Sequence, residues 1–389
     1  MTAPAICLNP PFRAEHIGSL KRPEILLRTR KAYSEGRCTL STLRAAEDAA
    51  IQTAIQMQRD VGIKGITDGE FRRHIFFEGV FDQLEGMKYI PKGTSYDYVP
   101  DVPAFKESKT TGVPSYVCDA KIRRVKPFYI SQFEDLKRLT RSDEHKNLKI
   151  TMCAPEWFHL RHGPYSYDTS VYQNDEEYFA DIIRAYREEI ADLYAAGCRN
   201  IQIDAPLLAF FCDQKMLQGM EERGIDHVAL FDLYCRVYDT CLKDHPADMT
   251  LGIHLCRGNF KGGRHWSEGG YDRIAIKLFR EIAATTYYLE YDTERAGTFE
   301  PLRWLPRNKS VVLGLMEDKE ELIARVHRAA EIIANGEEPR SLEEALNQIC
   351  ISPQCGFASH AEGNPVTEED VVRKLALVVE TAKAVWPDA

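Results

Sequence analysis

The sequence predicts a single α/β domain folded as a parallel (β/α)8 barrel, also called a TIM barrel. Eight short apolar or β-branched runs end in polar residues or glycine, and amphipathic helical stretches separate them. This strict alternation is typical of parallel strands joined by right-handed crossovers. A length of 389 residues leaves room for one large barrel. A doubly wound sheet is the alternative, but no glycine-rich fingerprint follows the first run to support it.

The predicted strands are short runs that a barrel would bury. In chain order they are AEHIGS (14–19), GIKGITDGE (62–70), LKITMCAPE (148–156), NIQIDAP (200–206), MTLGIHLC (249–256), TYYLEYD (286–292), SVVLGLME (310–317) and QICISPQC (348–355). The predicted helices carry apolar residues at helical spacing, most clearly over 41–62, 175–197, 319–336 and 368–386. We therefore expect each strand to be followed by a helix on the outside of the barrel.

The segment from Met87 to Arg141 interrupts this alternation. It is rich in Pro, Gly, Tyr and Lys, and it predicts an insertion after the second strand, partly extended, with a helix around 131–139. Loops this long are usually functional or disordered, and five tyrosines argue against disorder, so we expect a lid. We expect residues 1–12 to form an N-terminal extension and residues 13–389 to form the catalytic barrel.

Composition and charge exclude several classes of function. The net charge of -9 and the pI near 5.7 provide no basic field for nucleic acid. No run of about 18 uncharged apolar residues is present, and the N-terminus lacks a secretory pattern. We expect a cytoplasmic protein that does not bind membranes, and we leave open whether it is a homo-oligomer. Eleven cysteines in such a protein favour reduced thiols or metal ligation over disulfides.

Four residues at predicted strand ends have the chemistry of a zinc site. His254 and Cys256 close the fifth run, and residues two apart in a strand point to the same side. Glu290 closes the sixth run and Cys355 closes the eighth. Two thiolates, an imidazole and a carboxylate complete a tetrahedral Zn²⁺ shell at bond lengths of about 2.0 to 2.3 Å. Because barrel strands end around one cavity, their separation in sequence is no obstacle.

Each of these residues also has a structural interpretation. Cys256 could be a small core residue, with His254 hydrogen-bonded to a backbone carbonyl. Glu290 could instead form an ion pair with Arg295 or Arg303. The coincidence of the four residues at three strand ends favours the metal site.

The predicted ligand set favours a thiol substrate. Zn²⁺ stabilises a coordinated thiolate, so an incoming thiol loses its proton near neutral pH. Two cysteinates and a glutamate already offset the ion's charge, which keeps the bound sulfur nucleophilic. Such a site suits alkylation of sulfur better than activation of water. The predicted partners are therefore a small thiol and a small-molecule alkyl donor.

The remaining strand ends supply candidate substrate-binding residues: Ile17, Gly18, Ser19, Glu70, Trp157 and Asp204. The two acids could bind the ammonium of an amino acid, and the serine with its preceding backbone could contact a carboxylate. The tryptophan could stack on a flat heterocycle. The alternatives are ion pairs of the acids with Arg72 or Arg73, a turn serine and a core tryptophan.

Several segments carry a resemblance to a known family: EHIGSLKRP, ITDGEFRR, IQIDAP, HLCRGN, LEYD, SPQCGFAS and a final helix ending in AVW. They resemble the catalytic barrel of cobalamin-independent methionine synthase, and more closely its stand-alone single-barrel relatives, over residues 13–387. The resemblance implies a barrel of the uroporphyrinogen decarboxylase and methionine synthase type that binds zinc through the four ligands above. It also implies homocysteine contacts from Glu70, Asp204 and 17–19, and a folate contact from Trp157.

The chain departs from the full synthase in three places. We expect no room in the 389 residues for the additional N-terminal barrel that helps to bind folate polyglutamate in the synthase. The family's proton-donating histidine after the seventh strand is replaced by LGLMEDKEE, which offers Glu317, Asp318 and Lys319. The family's Asp-Glu-Pro after the fourth strand reads Asp-Ala-Pro here, and an apolar LLAFF follows it.

These features lead to three hypotheses. The leading one is a zinc-dependent methyltransferase in methionine biosynthesis, similar to 5-methyltetrahydropteroyltri-L-glutamate–homocysteine S-methyltransferase, with Lys319, Glu317 or His265 assisting proton transfer. The alternative is a zinc-dependent thiol alkyltransferase or carbon–sulfur lyase acting on an epoxide or another electrophile, similar to epoxyalkane:coenzyme M transferase. The apolar stretch 205–211 favours this alternative. A structural zinc clamp is the third, disfavoured because structural sites usually lie away from clefts.

Overall fold

A six-stranded parallel sheet forms the centre of the computed structural model, which describes residues 10–94, 111–258, 264–361, 363–387 and 389. Its strands follow chain order: β3 (Lys149–Cys153), β4 (Asn200–Asp204), β5 (Thr250–Leu255), β6 (Thr286–Glu290), β7 (Ser310–Gly314) and β8 (Ile349–Ser352). A separate antiparallel hairpin consists of β1 (Leu84–Thr94) and β2 (Thr111–Arg124). The third to eighth predicted strands are therefore confirmed, and the fold is a mixed α/β domain with a parallel sheet.

Between β6 and β7 the described chain has only two short 3-10 helices, Glu294–Ala296 and Glu300–Trp304. α-Helices lie before, between and after the other strands of the parallel sheet. They are α1 (Glu24–Ser34), α2 (Leu40–Val61), α3 (Ile130–Leu139), α4 (Trp157–His162), α5 (Asp175–Ala195), α6 (Gln214–Glu222), α7 (His227–Leu242), α8 (Ala275–Glu281), α9 (Lys319–Ala334), α10 (Leu342–Leu346) and α11 (Glu368–Val385). The four clearest helical patterns correspond to α2, α5, α9 and α11. Local sequence sets their ends: α2 starts after the N-cap Thr39 and stops at Gly62, which has a left-handed conformation.

The first two predicted strands form only single parallel bridges. Ala14 bridges to Ile351 in β8, and Ile66 bridges to Leu148 beside β3. Their backbones leave the extended conformation soon afterwards, because Gly18 and Glu70 have φ values of 117° and 61°. At these two positions the structure thus has a single bridge where a full strand was predicted. Even so, each outer edge of the parallel sheet has one of these segments beside it.

Two apolar clusters lie on opposite faces of the sheet. The larger packs between the sheet and the surrounding helices. The smaller contains Ile17, Tyr288, Val312 and Cys350 and lies on the inner face. Since side chains alternate along a strand, the neighbours of Tyr288 in β6 join the larger cluster. The inner face therefore has few apolar residues and is available for polar ones.

The hairpin and α3 occupy the region predicted as an insertion. The predicted helix around 131–139 is present as α3. The hairpin packs against α4, where the Tyr116 ring lies 5.5 Å from the Phe158 ring. Ser115 Oγ also lies 2.5 Å from His162 Nε2. Residues 95–110 of the insertion and residues 1–9 of the N-terminal extension fall outside the described part, and both the lid and the domain limits stay predictions.

Two further expectations concern membranes and thiols. In the described ranges, every helix is too short or too polar to cross a membrane. The ten cysteines in those ranges are all free thiols.

Candidate metal centre and substrate site

Three of the four predicted zinc ligands meet at the carboxyl end of the sheet. His254 and Cys256 lie at the end of β5, and Cys355 lies in the loop after β8. One candidate ligand atom from each lies within 4.8 Å of the others. Gly314 permits the loop to approach, because a Cβ there would lie 3.0 Å from the Cα of Gln354. The sheet and this close backbone contact therefore bring together three residues that are far apart in the sequence.

The imidazole of His254 is oriented as in many metal sites. Its Nδ1 donates to Oδ1 of Asp204 at 2.9 Å, because the two residues are direct partners in the β4–β5 register. Its Nε2 is buried and has no hydrogen-bond partner in the described part of the chain. A histidine with one nitrogen fixed by a carboxylate and the other unpartnered beside two thiols fits zinc coordination.

Glu290 contacts the candidate metal centre through Cys355 and is also ion-paired. Its Oε2 accepts the Cys355 thiol at 3.2 Å and the Arg257 backbone N–H at 2.8 Å. Its Oε1 accepts from Arg295 at 2.8 Å. The surroundings of Glu290 therefore agree in part with each of its two interpretations, as a candidate metal ligand beside Cys355 and as an ion-pair partner of Arg295. They do not agree with the Arg303 alternative, since that guanidinium lies beside Glu300 instead.

The three grouped side chains strongly perturb one another's protonation. A hydrogen bond from Cys355 outweighs burial and lowers the pKa of Cys256 to about 6. The same contact raises the pKa of Cys355 well above its ordinary range. Burial opposes the charge on His254, but Asp204 and Cys256 outweigh burial and raise its pKa to about 10. At neutral pH the group therefore favours one thiolate and one imidazolium.

A hydrogen-bonded path leads from the candidate metal centre to the first predicted strand. Nε2 of Gln202 donates to Oδ1 of Asp204 at 2.8 Å and to the carbonyl of Ile17 at 2.6 Å. Gln202 lies two residues before Asp204 in β4, so both side chains are on the inner face. Asp204 thus connects the His254 imidazole with the backbone of 17–19.

Glu70 lies on the other side of the same segment. Its Oε1 accepts from the Thr151 hydroxyl at 2.8 Å, and its Oε2 is buried without a partner. A Cβ on Gly18, where φ is 117°, would lie 2.4 Å from Thr151 Cγ2 and 3.7 Å from Glu70 Oε1. Burial, together with the negative charge of Asp204, raises the pKa of Glu70 to about 7 against the opposing effect of Arg73.

Ser19 contacts the loop that follows Cys355. Its carbonyl accepts from Phe357 at 3.1 Å, and its hydroxyl accepts from the Ala358 N–H at 3.4 Å.

The alternative ion pairs of Glu70 and Asp204 with the two arginines that follow Glu70 are not formed directly among the described residues. Arg72 forms ion pairs with Glu47, Asp48 and Asp135. Arg73 donates to the hydroxyl and the carbonyl of Thr151.

Trp157 begins α4 within an aromatic cluster. Its ring lies 4.9 Å from Phe76 and 5.1 Å from Phe77, and the Arg161 guanidinium lies 5.1 Å from its centroid. Its indole Nε1 is buried without a hydrogen-bond partner. The residue therefore combines core packing with one unused donor.

The three candidates for proton transfer have other partners. Lys319 Nζ lies 3.9 Å from Glu380 on α11, and Glu317 forms an ion pair with Arg325. His265 has a 42% exposed side chain that lies 3.9 Å from Glu268. In the described part, none of the three has a hydrogen bond or ion pair with His254, Cys256 or Cys355.

Sequence reasoning missed two residues that connect the site. Gln202 could have been found from its position two residues before Asp204 in a strand. Thr151 gave no comparable signal, because threonine is common in strands for packing reasons.

Comparisons with known proteins identify similar sequences and structures. The sequence model of the family described as "Cobalamin-independent synthase, Catalytic domain" matches residues 165–384. The Bacillus subtilis (strain 168) protein YxjH, described as uncharacterized, is 32% identical over 97% of this chain and 95% of its own length. The chain belongs to the cobalamin-independent methionine synthase family. Within this family, a methionine synthase from Saccharolobus solfataricus is 28% identical over 49% of this chain and 52% of that protein.

A solved structure from the cobalamin-independent methionine synthase family covers nearly the entire chain. It is a putative vitamin-B12 independent methionine synthase from Listeria monocytogenes, with a TM-score of 0.72 and 28% identity. It covers 96% of this chain and 98% of that chain. The similarity therefore extends beyond residues 165–384.

Proposed function

We propose that the protein is a zinc-dependent methyltransferase that transfers a methyl group to a thiol such as homocysteine. The observation that carries this proposal is the unpartnered Nε2 of His254 beside two cysteine thiols. Membership of the cobalamin-independent methionine synthase family supports it, as does a similar protein named methionine synthase.

We also propose that the sheet closes into a (β/α)8 barrel. The bridges from Ala14 to β8 and from Ile66 to β3 support closure, because they bring the two N-terminal segments to the two open edges. The hydrogen bond from Leu20 N to Gly69 O supports contact between these two segments. In such a barrel the carboxyl ends of all eight strands surround one site.

We propose that His254, Cys256 and Cys355 hold the zinc, with Glu290 as the fourth ligand. Glu290 Oε2 is already 3.2 Å from the Cys355 sulfur, and Arg295 and the Arg257 N–H fix the carboxylate in place. When bound, zinc would supply the positive charge that lowers the pKa of a substrate thiol. Asp204 would hold the imidazole in the orientation that presents Nε2.

The proposed binding site for the amino-acid part of the thiol lies next to this centre. The unpartnered Oε2 of Glu70 is a buried acceptor for an ammonium group, and Asp204 is the second acid. Backbone and hydroxyl groups of 17–19 would contact the carboxylate. Trp157, with its unused indole N–H, is the proposed contact for the donor molecule. Lys319, Glu317 and His265 stay candidates for proton transfer, and single variants of each test them.

Zinc analysis combined with X-ray absorption tests the metal and the acceptor together. We expect about one zinc per chain in the wild-type protein, and its loss in Cys256→Ala and Cys355→Ala. Cys235→Ala is a matched control, because Cys235 is a buried thiol on α7. Homocysteine should add a sulfur to the zinc shell. Full methyl transfer by metal-free protein would refute the proposal.

Transfer of a different alkyl group is the second candidate. The segment Pro206–Cys212 after β4 is apolar, and its residues from Leu207 onward are buried, which favours a less polar donor than a folate. Calorimetry separates the two candidates. Binding of homocysteine together with 5-methyltetrahydrofolate supports the first, whereas binding of homocysteine and of an epoxide, without any folate, supports the second.

A further inference from the structure

We propose that Arg22 is a positioning residue that holds two site loops in their working geometry. The side chain is 2% exposed. All five N–H groups of its guanidinium donate to main-chain carbonyl oxygens. No other standard side chain carries five donors in a fixed planar arrangement, so arginine is specifically suited to this position.

The four acceptor carbonyls, of which that of Arg73 accepts twice, belong to two loops. In the first loop, Nη2 donates to the Glu70 carbonyl at 3.1 Å and to the Arg73 carbonyl at 2.9 Å, and Nε donates to Arg73 at 3.2 Å. In the second, Nη1 donates to the Ala358 carbonyl at 2.9 Å and to the His360 carbonyl at 3.2 Å. The first loop contains the proposed ammonium-binding acid, and the second directly follows the proposed zinc ligand Cys355.

Glu70 is the residue that most needs such support. Its φ of 61° lies in the left-handed region, which is unfavourable for a residue with a side chain. Its N–H donates to Asp68 Oδ1 at 2.8 Å, and its carbonyl accepts from Arg22. The peptide groups on both sides of the strained residue are therefore held, which fixes the direction of its side chain.

The residues just before Arg22 contact the same two loops. The Ser19 carbonyl accepts from Phe357 N, and Leu20 N donates to the Gly69 carbonyl. The segment 19–22 is thus a connection between the two loops, to which Arg22 contributes five hydrogen bonds. Burial lowers the pKa of Arg22 to about 10, so the guanidinium stays charged at neutral pH.

This arrangement has a specific functional consequence. Loss of the guanidinium frees four carbonyls in two loops at once, so the ammonium site and the metal centre should be disturbed together. The effect on thiol binding rests on the proposed function, whereas the effect on the loops themselves does not.

Hydrogen exchange of the metal-free protein tests the loops without any assumption about activity. In Arg22→Lys, we expect amides in 69–73 and 355–361 to exchange about five-fold faster or more. Arg13→Lys is a matched control, because Arg13 also donates to backbone carbonyls, those of Leu346, Asn347 and Ile349. The control should leave exchange in both loops unchanged.

Kinetics of the zinc-loaded protein provide the second measurement. Arg22→Lys should raise the KM for the thiol by about ten-fold with a smaller change in kcat, whereas Arg13→Lys should change neither. Unchanged exchange in Arg22→Lys, or faster exchange in only one loop, would overturn the proposal. If Arg22→Lys does not fold, urea below the unfolding transition of the wild type should expose both loops at the same concentration. Exposure at different concentrations would also overturn it.

Discussion

Replacement of Glu156 by glutamine is expected to stabilise the protein at alkaline pH and to have little effect near pH 5. Glu156 is fully buried between β3 and α4, and neither carboxylate oxygen has a partner at good hydrogen-bonding geometry. Burial raises its pKa to about 7, and the hydroxyl of Tyr238 offsets only part of this effect. Glutamine has nearly the same shape as the protonated acid, but it cannot become charged.

The magnitude follows from linkage between protonation and folding. Between pH 4.5 and about 7, the folded protein keeps a proton on Glu156 that the unfolded chain has released. The free energy of unfolding of the wild type therefore falls as pH rises through this window. At about 1.4 kcal/mol per pH unit, the loss reaches about 3 kcal/mol above pH 7. Glu156→Gln removes this loss, so its advantage over the wild type should grow to about 3 kcal/mol.

Urea unfolding of both proteins from pH 5 to pH 8.5 measures the difference. Glu144→Gln is a control of opposite sign, because the Arg59 guanidinium lowers the pKa of Glu144 to about 2. The stabilisation from Glu144 is present above pH 4.5 and is lost as pH falls towards 2, so its variant should be less stable across the same range.

The reasoning about Glu156 fails if the stability difference between Glu156→Gln and wild type is constant from pH 5 to pH 8.5. It also fails if the variant is the less stable protein at pH 8, since that result would mean that the carboxylate is stabilised in the folded state.

Three further perturbations test other contacts. Asp204→Ala should weaken zinc binding by about 10 to 100-fold in a chelator competition, because it removes the carboxylate that orients His254; unchanged affinity would contradict this. Lys149→Met should lower the free energy of unfolding by about 3 to 5 kcal/mol, since it leaves the fully buried Glu15 without its partner at 2.7 Å; a neutral effect in urea unfolding would count against it. Gly18→Ala should raise the KM for the thiol by about 10-fold or more, because a Cβ would lie 2.4 Å from a methyl group of the neighbouring strand; an unaltered KM would show that the segment tolerates the shift.

The sequence was informative wherever a function depends on neighbours along one strand. His254 and Cys256 could be predicted as a pair because they are two residues apart in a strand, and β3 to β8 could be predicted from their apolar runs. The sequence did not show that the first two predicted strands form only single bridges. Their apolar runs look similar, and the left-handed backbone at Gly18 and Glu70 depends on contacts with other strands.

Contacts between different strands could not be predicted from the sequence. Asp204 was predicted as an ammonium-binding acid, and its bond to His254 depends on the β4–β5 register, which no local pattern encodes. The acceptors of Arg22 are even less accessible, because they are carbonyls of residues 48 to 338 positions away. Backbone oxygens have no residue identity, so a sequence pattern cannot point to them.

The order of the ligands along the chain has a consequence for biosynthesis. A ribosome makes His254 and Cys256 long before Cys355, and Ile351, the partner of Ala14, also comes late. At about 5 to 20 residues per second, the nascent chain has only two of the three grouped ligands for roughly 5 to 20 seconds. With the proposed ligand set, tight zinc binding would have to wait until almost the whole chain is made. A truncated product that ends before Cys355 would lack one of the three grouped side chains.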